Sequence, residues 1–279
     1  MESVLILIQC RDKTGLVAAI ARIIVSHQLN IDAMHEFVDE AEFLFFARFE
    51  CSGKIADSET LRNALMQNLP ENAVVTVNPP SPKKLAVLVT KEYHCLGEIL
   101  VRNFFQDNDS KVCCVIGNHP DLKTFTEGFS IPFHEVPHQS KSKKDFEKEI
   151  SEILNSYQPD YLVLAKFMQI LSADFVEKYP NRIINIHHSF LPAFAGARPY
   201  YQAFVRGVKL IGATAHFVTE SLDNGPIITQ QTITIDHSYS ISEIVKAGHE
   251  VEKTVLNKAI NLVCHDRIFV SGNKTVVFV

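Results

Sequence analysis

Three prolines, Pro79, Pro80 and Pro82, fall within the short stretch from Asn78 to Lys84. Proline fixes φ and has no N–H, so neither a helix nor a central strand can run through that stretch. Apolar runs flank it on both sides, Ala73 to Val77 before and Leu85 to Val89 after. The chain is therefore expected to fold as two bodies, residues 1–80 and 85–279. Its 279 residues suit that division, because one domain usually takes ~100 to 200.

Both bodies read as ordinary folded protein. Hydrophobic residues are 46% and charged residues 21%, which argues against disorder, collagen-like repeats and coiled coil. Apolar runs such as Tyr161 to Ala165 fall far short of the ~20 residues of a membrane span. The first residues meet charge too early and lack the basic start of a secretory signal, so a cytoplasmic location is expected. A net charge of -5 offers polyanions no general attraction, which excludes nucleic acid as an expected partner. The six cysteines include no C-x-x-C pair and mostly sit in apolar runs, as reduced, structural thiols do.

In the first body, Val4 to Gln9 reads as a buried strand, Asp12 to Gly15 as a turn, and Leu16, Ile20, Ile23 and Ile24 as one face of a helix. Strand-like runs follow at Ile31 to Val38 and Glu42 to Cys51, then a capped amphipathic helix from Ser58 to Leu69 and a last strand from Ala73 to Val77. This βαββαβ order is the ferredoxin-like plan. Within it, Arg11 to Val17 followed by Asn30 and Ile31 resembles the opening of an ACT domain. The resemblance covers about residues 1–80. It implies a regulatory module that binds an amino acid at that first turn, often across a dimer interface. Asp12, Gly15 and Asn30 are the implied effector contacts, glycine or methionine the implied effectors, and a homo-oligomer the implied assembly.

After the prolines, strand-like segments at Leu85 to Thr90, Val112 to Gly117, Tyr161 to Phe167 and Ile183 to His187 alternate with helical stretches near His94 to Gln106, Lys143 to Tyr157 and Ser172 to Tyr179. Such alternation implies an α/β domain with a mainly parallel, doubly wound sheet, whose ligands bind outside the strand carboxyl ends. The tail adds a strand-like Ile227 to Ile235, a long helix from about Ser240 to Cys264, and Thr275 to Val279.

The candidate chemistry sits at those strand ends. Asn185, His187 and Ser189 alternate along the strand and should point one way, with Ile184, Ile186 and His188 pointing the other. A second cluster runs from Ala213 to Ile228, and its Glu220 to Gly225 portion reads as a loop holding Asp223 between two strands. Taken singly, a strand-end histidine is as compatible with a structural hydrogen bond, and Asp before Asn-Gly with a turn. A zinc site from His187, His188, His216 and Asp223 uses legitimate ligand types, but adjacent strand histidines diverge, and no metal is expected. A triad of Ser189, His187 and Asp223 lacks a nucleophile elbow.

Together the segments say more. Lys166 to Ser172, Asn185 to Pro192, His216 to Val218 and Leu222 to Ile228 resemble, in order and spacing, the formyltransferase family that uses 10-formyltetrahydrofolate. The resemblance covers residues 85–279. It implies a catalytic centre at Asn185, His187 and Asp223, and a folate pocket lined by Phe167, Met168, Gln169, Ile170 and Leu171 together with Glu220 to Asp223.

Family members differ in what attacks the formyl carbon. The loop Lys91 to Gly97 contains one late glycine and is no phosphate cradle, and His188 replaces the proline that usually follows the catalytic histidine. An ACT-like domain joined to such a transferase domain is similar to the deformylase branch of the family, whose acceptor is water. The implied reaction is hydrolysis of 10-formyltetrahydrofolate to formate and tetrahydrofolate, in one-carbon and purine metabolism. Folate is its substrate, and no cofactor is expected. Asn185 and His187 would stabilise the formyl oxyanion and Asp223 would shuttle the proton. The alternatives are formyl transfer to an amine such as glycinamide ribonucleotide, and a folate-binding regulatory protein without turnover.

Overall fold

The computed structural model describes residues 2–55, 57–107, 109–193 and 199–279. The chain forms two compact units. The first begins with strand β1 (Glu2–Arg11), helix α1 (Leu16–Ser26), strands β2 (Asn30–Asp39) and β3 (Leu44–Gly53), helix α2 (Ser58–Asn68) and strand β4 (Val74–Val77). Its antiparallel sheet has the order β2-β3-β1-β4, the arrangement of an ACT domain. Alternate residues of β1, namely Val4, Ile6, Ile8 and Cys10, are buried, as a period of two requires of a strand with one face on the core. They meet Leu16, Ile20 and Ile24 of α1 and Leu61 and Leu65 of α2, spaced by four to keep one helical face inward. Gly15, at φ 89, starts α1 in a left-handed conformation that a side chain would strain.

The second unit runs from Ser81 to His265 and includes Gly272–Thr275. Its elements are β5 (Lys83–Val89), α3 (His94–Phe105), β6 (Ser110–Gly117), α4 (Lys123–Glu127), β7 (Phe133–Glu135), α5 (Lys143–Tyr157), β8 (Tyr161–Leu164), α6 (Ala173–Val176) and β9 (Ile183–His187), followed by α7 (Pro199–Arg206), β10 (Leu210–Phe217), β11 (Ile227–Thr234) and α8 (Ile241–Cys264). The seven strands lie in the order β11-β10-β9-β8-β5-β6-β7. The pairings from β9 through β7 are parallel, while β10 joins β9 and β11 antiparallel. This is the mainly parallel, doubly wound α/β sheet of the formyltransferase type. Ala86 and Leu88 of β5 pack with Phe146, Ile150 and Leu154 of α5. The alternate set, Leu85, Val87 and Val89, is equally buried, so both faces are covered, as a central parallel strand requires. Helix α8 packs on β9, β10 and β11 and against α3 and α7.

Two differences from the sequence reading are informative. The strand expected from Tyr161 to Phe167 stops at Leu164, because Lys166 turns left-handed at φ 61 and aims the following segment across the end of the sheet. Residues 266–271 and 276–279, placed by sequence in the second body, pack with the first unit. They form parts of the hairpin β12 (Ile268–Ser271) and β13 (Lys274–Val277), and there the ring of Phe269 meets Phe46 edge-on at 5.6 Å, while Phe278 lies 5.9 Å from His35. Aromatic burial outweighs proximity in sequence. No helix among the described residues is long and apolar enough to cross a membrane.

All of Leu85 to Val89 on β5 is buried in the core of the second unit. Leu88→Ala should remove ~2 to 5 kcal/mol of stability, since a fully buried leucine leaves a cavity that neighbours fill only in part. The expected reading is a lowered midpoint of urea unfolding.

Candidate active site

The carboxyl ends of β8 and β9 and the loop after β10 surround a cavity of about 440 Å³. Asn185, His187 and Asp223 all line it, as do Phe167, Met168, Gln169, Ile170, Leu171 and Glu220. Register brings the polar groups together. Asn185 on β9 stands directly opposite His216 on β10, and His187 opposite Thr214. Beside this pair the register of β10 against β11 shifts between Ala215 and His216, with Ile228 as the extra residue of a bulge on β11.

Hydrogen bonding then settles the protons. Nδ1 of His216 lies 2.9 Å from the Phe217 carbonyl, which can only accept, so Nδ1 carries the hydrogen. Burial foremost lowers the pKa of this imidazole, so it stays neutral at pH 7 and offers Nε2 as a lone pair. The Asn185 amide nitrogen, 3.2 Å away, donates to it. His216 thus fixes which end of the Asn185 amide faces inward and leaves a second amide hydrogen for the cavity.

His187 and Asp223 form the other pair. Nδ1 of His187 lies 3.3 Å from Oδ1 of Asp223, and Nε2 of His216 lies 3.8 Å from the same oxygen. The bond from His187 is the main influence on the Asp223 carboxyl and, against the opposing effect of burial, holds its pKa below the usual range. Asp223 is a carboxylate at neutral pH. Nε2 of His187 is buried and has no hydrogen-bond partner among the described residues, a state that a buried polar atom rarely keeps without a ligand to meet.

The loop that carries Asp223 is tightly built. Asp223 has φ 53, an uncommon conformation that Asp tolerates better than most residues. The next turn exists because position 225 is glycine, where a Cβ would stand 1.8 Å from the Phe217 carbonyl oxygen. On the opposite wall, the segment after Lys166 is pinned at both ends: Met168 N donates to Thr90 Oγ1 at 3.0 Å, and Ser172 N to Glu147 Oε1 at 2.6 Å. Between these pins Met168 and Ile170 remain exposed, facing the equally exposed Leu222. An apolar mouth over a polar floor suits a flat heterocycle with a polar reacting end.

Residues 83–260 match the family model described as formyl transferase, and residues 4–69 match the ACT domain. A formyltetrahydrofolate deformylase of Haemophilus influenzae is 49% identical over 277 residues, 99% of each chain. The chain belongs to the formyltetrahydrofolate deformylase family. The crystal structure of a formyltetrahydrofolate deformylase from Pseudomonas syringae pv. tomato superposes with a TM-score of 0.94 at 38% identity, covering 99% of this chain and 94% of that one. A glycinamide ribonucleotide transformylase from Symbiobacterium toebii reaches 0.67 at 27% identity, with 70% of this chain and 94% of that chain covered.

Against this deformylase frame, several residues depart from the sequence reading. His188 was expected to face away from His187, yet both line the cavity with ring centroids 5.3 Å apart, because the strand ends at His187 and alternation ends with it. Burial foremost, aided by the Lys166 charge, pushes the His188 imidazole down to about 4, so it is uncharged at pH 7. Ser189 donates to the Ala193 carbonyl at 2.7 Å and so is occupied away from His187. His216, weighed only as a metal ligand, is the partner of Asn185.

Sequence reasoning also missed a buried cluster around Glu252, which accepts from His94 Nε2 at 2.8 Å, from Lys166 Nζ at 3.1 Å and from the Tyr200 hydroxyl. Its signal was available: Glu252 lies on the stripe of α8 formed by Val255, Leu256 and Ala259, where a charge is out of place. His94, His249 and Glu92 are close enough to suggest a metal, but the two imidazoles stack at 3.9 Å and 7°. Their in-plane lone pairs run parallel and do not converge on one ion.

In the first unit, Asp12 and Gly15 precede α1, whereas Asn30 follows it. Eleven helical residues separate them, ~16 Å at 1.5 Å per residue. Asn30 Nδ2 donates to Asp32 at 2.7 Å.

Gly225→Ala should push the Phe217 carbonyl and the Asp223 loop apart. A displacement near 1 Å at a reacting group costs ~10²-fold in rate, so turnover should fall by that order while thermal melting of the chain changes little.

Proposed function

We propose that this chain hydrolyses 10-formyltetrahydrofolate to formate and tetrahydrofolate. The observation that carries the reading is the buried, unpartnered Nε2 of His187, backed by the Asp223 carboxylate on Nδ1 and set beside the free amide hydrogen of Asn185. The full-length match to deformylases supports the choice of water as acceptor.

Water attacks the formyl carbon, charge gathers on the formyl oxygen, and the bond from that carbon to the folate nitrogen then breaks. Donors placed at the oxygen lower the barrier more than they stabilise the substrate. Asn185 donates through its second N–H. His187, whose Nδ1 faces the Asp223 carboxylate, donates through Nε2. Both histidine contacts fall on Oδ1 and leave Oδ2 to take a proton from water and pass it to the leaving nitrogen. The exposed Met168, Ile170 and Leu222 would cover the pterin ring, and the segment from Phe167 to Leu171 and Glu220 would flank it.

The ACT domain supports an amino-acid effector. Asp12 and Gly15 would contact it on one side and Asn30 on the other. A single amino acid is shorter than the ~16 Å of helix between them, so a site using both ends draws them from two copies of the chain, and a homo-oligomer follows from this reading.

Asp223→Asn keeps the shape and removes the proton acceptor. Formate release should fall by ~10² to 10⁴, and folate binding, followed by fluorescence or calorimetry, should persist. A parental rate in this variant would refute the assignment.

An amino acid among the twenty should alter the rate of the full chain. Nothing lies within 4 Å of a Cβ built at Gly15, so Gly15→Val acts through its strained φ. It should weaken that response more than basal turnover, as calorimetric titration beside activity assays will register. A control of this kind requires different affinities for the active and inactive arrangements.

A further inference from the structure

In an open doubly wound sheet the ligand crevice lies where the strand order reverses. Here the chain leaves β5 for β6 and β7 on one side and returns to β8 on the other. The reversal therefore lies between the carboxyl ends of β5 and β8. The cavity of the candidate active site stops short of it. Lys166 lines that cavity, but no residue from 90 to 95, the segment leaving β5, does so.

Side chains stand in the crevice instead. Lys166, at the end of β8, is 5% exposed, and its Nζ lies 3.1 Å from Glu252 Oε2 and 3.7 Å from Glu92 Oε2. His94, beyond the end of β5, bonds the same Glu252 oxygen at 2.8 Å, while the Tyr200 hydroxyl takes the other oxygen. Glu252 has no exposed surface. Space for Tyr200 comes from Gly248, where a Cβ would stand 2.2 Å from the ring.

An amine acceptor must bring its substituents with its lone pair; water brings none. We infer that Lys166, His94 and Glu252 determine acceptor specificity: their buried network closes the crevice to amines and leaves water as the nucleophile that reaches the formyl carbon. The inference rests on the deformylase reading. A network that only fastened α8 to α3 would alter stability and rate, but not the identity of the product.

Product partition separates the two roles. The full chain is given 10-formyltetrahydrofolate with excess glycinamide, a primary amine without phosphate or ribose. In an opened site the amine nitrogen bonds to the formyl carbon, the bond from that carbon to the folate nitrogen breaks, and the amine proton passes to that nitrogen. The products are N-formylglycinamide and tetrahydrofolate. From the parent, formate should equal tetrahydrofolate. Lys166→Ala combined with Glu252→Ala should release formylated amine at least about tenfold above the detection limit, alongside formate. Lys166→Met combined with Glu252→Gln, which keeps the volume and removes the charges, should stay at the parent ratio. Formylated amine from the parent, an unchanged ratio in the folded alanine pair, or a raised ratio in the volume-keeping pair overturns the assignment. Should thermal melting show that the alanine pair does not fold, His94→Ala, which leaves the Lys166–Glu252 pair in place, must raise the ratio, and failure to do so overturns it equally. A parent that releases neither formate nor tetrahydrofolate instead overturns the deformylase reading, and this inference with it.

Discussion

A single carboxylate without exposed surface, that of Glu252, gathers α8, α3, α7 and the end of β8 onto one point. Burial pushes Glu252 toward neutrality. The bond from His94, the charge of Lys166 and the bond from Tyr200 outweigh it and hold the pKa at about 2. Because the folded value is depressed, the stabilisation is fully present above the ordinary value of 4.5 and is lost as pH falls through about 2. Such a network is costly to break, since one uncompensated buried charge destabilises by ~3 to 5 kcal/mol. Its geometric effect matters as much, because Lys166 is also the residue at which the chain leaving β8 turns into the cavity wall.

The proposed reacting groups are held by a different logic. They are paired across strands, so their positions follow from register more than from burial. Asn185 meets His216, and His187 lies one step further along the strand, facing the loop after β10. A slip of one residue would send both to the opposite face of the sheet. The bulge that β11 makes beside Ala215 and His216 pins the register of the neighbouring pair.

Much of this was legible in the chain. The prolines near residue 80 marked the division, period-two and period-four patterns marked the elements of each unit, and Asn185, His187 and Asp223 could be named through the resemblance to formyltransferases. His216 was less legible, because its role rests on an antiparallel partner thirty-one positions away and on a carbonyl one residue on, neither of which leaves a trace in local composition. Lys166 was hidden by the same kind of distance, as it looks like a surface charge until Glu252 is placed beside it. The terminal hairpin was assigned by proximity to the long helix, whereas Phe269 and Phe278 obey the aromatic face available in the first unit. Where a residue answers to a distant partner, local pattern is silent.

β11 is the outermost strand on its side of the sheet, and most of its residues are partly or largely exposed. Asp223, the proposed proton acceptor, hangs from the connection between that strand and β10. The chemistry is thereby tied to the margin of the fold, where local opening takes less free energy than unfolding of the β5 core. Competence and global stability are therefore expected to be separate quantities in this molecule: opening of the β10–β11 hairpin at the rim would take Asp223 from the cavity while the rest of the sheet stays folded.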